Sequence, residues 1–165
     1  MNRIEKLREY IDDVLQNIKD EEERRCSYVH LYGVAQSCAM IASRRGINAE
    51  LATMAGMLHD FYLYKNYENQ DFTDHGRRGS IFVRAILEDL KLTTEEETNI
   101  ICCGIANHCD KDKVDLDFDE VIKDADVIQH CLYNVTLPVK KSYKERYEKL
   151  IKEFDLNIIV KEIRP

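Results

Sequence analysis

The sequence predicts an all-α protein: a single-domain helical bundle of about six or seven helices spanning residues 1–165. Three observations predict it. Apolar residues recur at spacings of three and four along most of the chain, which puts them on one face of a helix. Helix breakers are scarce, with two prolines and six glycines in 165 positions. Capping residues stand where the apolar periods begin. The length suits one domain with one sizeable core.

The elements follow in order. Ile4, Leu7, Ile11, Val14, Leu15 and Ile18 share a face, so a first helix is expected from Asn2 to about Glu23. A second, from Ser27 to Arg45, is apolar nearly all round and should be central, with Gly46 as its stop. Asn48 can cap a third helix that ends near His59. Phe61 to Phe72 is aromatic, polar and aperiodic, and is expected to be a loop. Asp74 can cap a fourth helix through about Asp89. Thr94 with Glu97 makes a capping box for a fifth helix ending near His108, and Asp117 with Glu120 makes another for a sixth through about Tyr133. Between them Asp110 to Phe118 is a charged loop. Pro138 ends the next connection, and Ser142 to Phe154 forms a seventh helix. The tail from Leu156 to Ile163 alternates apolar and charged residues, compatible with a short strand or a last helical turn.

Composition narrows the function. A net charge of −7 argues against a nucleic-acid partner, which needs a basic face. A small phosphorylated substrate remains compatible, because local cations at a metal site reverse the field. No stretch reaches the roughly 18 apolar residues that span a bilayer, and the charged N-terminal segment has no signal-peptide centre, so the expected setting is cytoplasmic without a membrane partner. Cys26, Cys38, Cys102, Cys103 and Cys131 sit among apolar helical residues and are expected as buried reduced thiols. With no C-x-x-C, a cysteine zinc site is not expected. The oligomeric state is left open.

The histidines carry the chemistry. His30 shares a helical face with Val34, Cys38 and Ile41. His59 falls on the face of Ala52 and Ala55, His75 on that of Gly79, Phe82 and Ile86, and His108 on that of Ile101, Gly104 and Ile105. A single inward histidine is ordinarily a core residue with a partner. Four on four helices, three of them at helix ends, point to a metal site collected from a bundle. Asp60 follows His59 at a chain turn. On the sixth helix Asp124 and Asp126 flank the stripe of Val121, Ala125, Ile128 and Leu132 on opposite sides, and periodicity does not choose between them. His130 points further from the stripe and is not expected to be a ligand.

The order His30, His59-Asp60, His75, His108, Asp126 resembles the HD-domain metal-dependent phosphohydrolase superfamily over about residues 27–134. The surroundings share in it: His30-Leu-Tyr-Gly-Val-Ala, Ala55-Gly-Met-Leu-His-Asp60 and Lys123-Asp-Ala-Asp126. The resemblance implies a helical bundle around one or two divalent ions, with His30, His59, Asp60 and Asp126 as the four-ligand core. It favours Asp126 because the family's ligand is the aspartate of an Ala-Asp pair. His75 and His108 match the further histidines of two-metal members, in which the motif's aspartate bridges the ions. In histidine order the chain is similar to bacterial dinucleoside tetraphosphate hydrolases. Those tend to carry lysine three residues past the aspartate, where this chain has Leu63, and the Glu-Asp pair of alarmone-hydrolysing members is absent.

The implied activity is hydrolysis of a small phosphorylated substrate, a nucleotide above all. Asp60 would be catalytic as well as a ligand, with Lys65, Arg77 and Arg78 as substrate-facing cations. Arg77 and Arg78 open the fourth helix, whose N-terminus itself favours anions. Mixed nitrogen and oxygen donors suit iron, manganese, cobalt, nickel or zinc. Two other classes fit the same residues: a non-catalytic metal- or nucleotide-binding regulatory domain, and a di-iron oxygenase. Tyr62, Tyr64 and Tyr67 either line a pocket or pack over the bundle. Cys109 beside His108 forms a metal-like pair that the family's site does not need.

Overall fold

A computed structural model describes residues 2–66 and 72–157, with the backbone of residues 163–164. Among these the chain forms eight α-helices: α1 (Arg3–Leu15), α2 (Glu21–Arg45), α3 (Ala49–Leu58), α4 (Phe61–Lys65), α5 (His75–Leu90), α6 (Glu95–Asn107), α7 (Asp117–Leu132) and α8 (Lys144–Glu153). A two-residue parallel pair, β1 (Val139–Lys140) with β2 (Ile163–Arg164), joins the end of the chain to the segment before α8. The expected all-α class holds. The tail ends on a strand, and its residues 158–162, like Tyr67, lie outside the described residues.

Local chemistry explains most boundaries. Asn48 accepts from the Leu51 N–H, and Thr94 and Glu97 form the reciprocal capping box. Gly46 closes α2 at φ 68°, a left-handed conformation that favours glycine. Four expectations are corrected. The helix expected through Glu23 is two helices: α1 stops at Leu15, and Asp20 starts α2 by accepting from the N–H groups of Glu22 and Glu23. Ile18 is buried beyond the break, so the apolar period ran through it unbroken. The loop expected after Asp60 begins with α4, whose five residues are too few for periodicity to register. Asp74 precedes α5 but in a left-handed conformation with no side-chain cap. No box forms at Asp117. Leu116 is the N-cap, and the Glu120 carboxylate instead accepts from the Asp115 N–H and pairs with Lys123 and Arg146.

Helix α2 sits at the centre, packed on α3 and α7. Helix α5 lies on α6, which in turn meets α3 and α7. Contact between α2 and α3 depends on Gly56: a Cβ there would come within 2.7 Å of the Ala35 Cα, a backbone obstacle. Gly56→Ala is therefore expected to destabilise by about 2 kcal/mol. Overpacking costs of about 1–3 kcal/mol outweigh a helix-propensity gain of about 1, and a denaturant midpoint at or above wild type would contradict this.

Buried charge sits under α8. Asp124 accepts from Arg45 at 2.8 Å and from Arg146 at 2.9 Å, and Lys123 is fully buried against Asp115 and Glu120. For the Glu120 carboxyl, burial raises the pKa, but hydrogen bonds from Arg146 and Lys123 outweigh it and hold it at about 2. A depressed folded-state pKa contributes stability above the unfolded value and loses it as pH falls. Stability should thus decline between about pH 4.5 and pH 2, with less decline in Glu120→Gln, as urea titrations at pH 6 and pH 3 would show.

Of the thiols, Cys38, Cys102 and Cys131 are buried as expected. Cys26 is half-buried and Cys103 exposed, because the helices that carry them turn those positions outward. All six cysteines are free. Among the described residues no helix is long and apolar enough to cross a membrane.

Candidate metal centre

Helix ends supply the site. The last carbonyls of a helix lack intrahelical partners. His59 follows α3, and its Nδ1–H donates to the Gly56 carbonyl at 2.8 Å. His108 follows α6, and its Nδ1–H donates to the Ile105 carbonyl at 2.7 Å. His75, opening α5, repeats the pattern on the Phe72 carbonyl at 2.8 Å. His30, mid-helix in α2, has no spare carbonyl and uses Gln129 Oε1 of α7 at 2.8 Å. In all four rings Nδ1 thus carries the proton, and Nε2 is left with its lone pair directed away from the anchoring carbonyl.

Those four Nε2 atoms converge on Asp60. At φ −111°, ψ 7° between α3 and α4, its backbone breaks the helix and presents the carboxylate. Oδ2 lies 3.4 Å from His30 Nε2 and 3.5 Å from His59 Nε2. Oδ1 lies 3.3 Å from His75 Nε2 and 3.2 Å from His108 Nε2. One carboxylate is therefore divided between two histidine pairs. Asp126 Oδ1 stands 3.6 Å from His30 Nε2 and 3.9 Å from His59 Nε2, while Lys111 occupies its Oδ2 at 2.6 Å.

With Nδ1 protonated, these contacts set lone pair against lone pair. His30 and His59 face each other Nε2 to Nε2 at 3.1 Å, and Asp60 Oδ1 and Asp126 Oδ1 are buried without a hydrogen-bond partner. Buried acceptors that face one another need a cation between them. The donor set, imidazole nitrogen and carboxylate oxygen, can hold divalent ions. The nearby Asp60 carboxylate and the Cys109 thiol hold the His75 pKa at about 11. At His108 burial alone would lower the pKa, but the same two partners raise it to about 9. Burial dominates at His59 and lowers it to about 3. Burial likewise works against the Asp60 carboxylate, yet the surrounding histidines hold its pKa well below the usual range.

The cluster floors a pocket of about 720 Å³. Lys111, Lys113 and Lys140 line it, as do Tyr64 and Tyr143. The expected substrate-facing cations lie elsewhere. Lys65 is exposed at the end of α4, Arg77 points to solvent near Asp74, and Arg78 donates to the Tyr62 hydroxyl and covers its ring. None of the three is in the described lining. Asp124 is turned away to Arg45 and Arg146, which leaves Asp126 as the α7 aspartate at the cluster.

The profile of the HD domain matches residues 27–130, more than half of the chain. The chain belongs to the HD domain family. Among solved structures it is similar to the crystal structure of a "predicted HD superfamily hydrolase" from an uncultured Thermotogales bacterium. The two are 16% identical with a TM-score of 0.62, over 93% of this chain and 90% of that one, a likeness of fold. A search of curated proteins found no match. The HD-matched span contains every histidine and aspartate of the cluster, whereas Lys140 and Tyr143 lie beyond it.

Three further neighbours of this HD centre are brought in by the fold. His130 places Nε2 3.4 Å from Asp126 Oδ1 and groups with His30 and Asp126, because α7 turns its last turn toward the pocket. Its i+4 spacing from Asp126 was the available signal. Lys111 lies in the charged loop after α6, where periodicity says nothing. Cys109 was seen only as a neighbour of His108, and its approach to His75 is a tertiary contact.

Proposed function

We propose that this HD-domain protein is a metal-dependent phosphohydrolase acting on a small phosphorylated molecule, with nucleotides as the substrate class. The observation that carries the reading is the pair of histidine couples divided across Asp60 beneath a lysine-lined pocket. His30, His59, Asp60 and Asp126 would hold one ion; His75, His108 and the other Asp60 oxygen would hold a second. Such ions supply Lewis acidity toward water and toward a phosphate oxygen. The chain's own groups do the rest. Three backbone carbonyls and the Gln129 side-chain oxygen fix the four rings, so the donors are oriented before binding. Lys111 holds Asp126 by one oxygen and leaves the other facing the cluster. Lys113 and Lys140 offer positive charge to an incoming phosphate, and Tyr64 and Tyr143 offer flat walls of the kind that pack against a base. A volume of about 720 Å³ accommodates a nucleotide-sized ligand. The name of the solved neighbour is in keeping with hydrolysis, and six free thiols fit a reducing, cytoplasmic setting.

The test is phosphate release from a panel of nucleotides and phosphomonoesters with manganese, iron, cobalt, nickel or zinc. Turnover by wild type, abolished in His59→Ala, is the expected result. Bound metal without turnover on any substrate would overturn hydrolysis in favour of a regulatory domain. Lys140→Gln is expected to raise KM several-fold with kcat little changed, and more so at low salt, as for a cation that attracts the substrate. An unchanged KM would remove Lys140 from substrate binding.

A further inference from the structure

Cys109 is unused by the site described so far, yet it faces the second histidine couple. Its Sγ lies 3.2 Å from His75 Nε2 and 3.5 Å from His108 Nε2, and the three residues form a group able to hold one ion. Donors that share an ion at bond lengths of about 2.0–2.3 Å stand roughly 3–3.6 Å apart. The two sulfur–nitrogen distances fall in that interval, as do the 3.3 and 3.2 Å from Asp60 Oδ1 to the same nitrogens.

The contact is built into the packing of two helices. His75 opens α5 and Cys109 follows α6, and they meet where Gly76 crosses the end of α6. A Cβ on Gly76 would lie 3.0 Å from Cys109 Sγ and 2.9 Å from the Ala106 carbonyl. Glycine there leaves the space the sulfur fills. The second, independent sign of a ligand is Asp60 Oδ1, buried without a hydrogen-bond partner and directed at the same two nitrogens. A cysteine held only by packing would not need two lone-pair nitrogens and an orphaned carboxylate oxygen around it.

We propose that Cys109 is a thiolate ligand of the second metal subsite, with His75, His108 and Asp60, and that it biases this subsite toward thiophilic ions such as zinc or cobalt over manganese. Soft sulfur donors favour zinc, whereas oxygen-rich sites suit manganese. The couple of His30 and His59, with Asp126, holds no sulfur, so the two subsites would differ in selectivity. The inference rests on the metal-centre reading above.

Cobalt titration of the full-length protein tests it. Wild type is expected to bind two equivalents and to show a near-ultraviolet thiolate-to-cobalt charge-transfer band. In Cys109→Ser the band disappears and the first equivalent still binds. The second equivalent of zinc weakens by roughly 10–100-fold or more, the loss that even an outer partner of a ligand causes, and manganese changes less. Cys109→Ala serves where serine itself ligates. Two cobalt equivalents without a thiolate band, or a band that persists in both variants, would overturn the Cys109 assignment and leave the metal centre standing. No bound cobalt at all would overturn both.

Discussion

Asp60→Asn is expected to empty both metal subsites and to reduce metal-dependent phosphate release to background. Among the described residues Asp60 is the side chain that faces both histidine couples, with Oδ2 toward His30 and His59 and Oδ1 toward His75 and His108. Asparagine replaces the shared anion with one neutral oxygen and an amide donor, so at least one couple loses its carboxylate oxygen and both lose the Asp60 charge. Loss of a partner outside the ligand set already costs about 10–100-fold in affinity, and loss of a bridging ligand should exceed that. The fold should survive, since the helix core of Leu31, Val34, Met54, Leu58 and Ile101 is untouched. Elemental analysis after metal loading, with circular dichroism as the control, decides the matter. A folded variant that retains two ions would contradict the bridging role.

The second expectation concerns a residue that never meets the metal. Gln129 accepts the Nδ1–H of His30, the one histidine of the four without a backbone anchor. Gln129→Leu keeps the volume but leaves that ring without an acceptor, so its tautomer and orientation are no longer held. Affinity at the subsite of His30 and His59 should fall about 10–100-fold, while the subsite of His75 and His108 is unaffected. Gln129→Glu, which retains an acceptor, should restore binding. Equal weakening of both ions in the leucine variant would point to general loosening of α2 against α7, because the Gln129 side chain also packs against Gly33.

The two expectations separate what local sequence encodes from what packing encodes. The Asp60 argument begins from a dipeptide at a helix end, visible in the chain. The Gln129 argument depends on a contact between residues 30 and 129, and no local pattern announces it. The same division runs through the fold. Strong local signals, the Thr94–Glu97 box and Gly46, stand at the boundaries where they were expected. The break between α1 and α2 escaped because Ile18 continues the apolar period across it, and α4 escaped because five residues hold barely one turn.

Charges divide in the same way. Lys65, Arg77 and Arg78 are near Asp60 and His75 in sequence but lie outside the described lining of the pocket, whereas Lys111 and Lys140 are distant in sequence and line it. A long cation is directed by its partners. Arg78 turns to the Tyr62 hydroxyl, and Lys111 to Asp126 and the His108 carbonyl.

By itself the sequence determined the helical class, the central place of the second helix and the inward set of His30, His59, His75 and His108. Apolar periodicity is a one-dimensional record of which face is buried. Periodicity put both Asp124 and Asp126 at the margins of one stripe, the resemblance favoured Asp126, and the tertiary structure shows why the two part. Arg45 and Arg146 draw one away while the histidines receive the other. Tertiary structure alone brought Cys109 to His75 and turned His130 toward Asp126. Those relations depend on how helices cross, at distances set by residues such as Gly56 and Gly76 that carry no side-chain chemistry of their own.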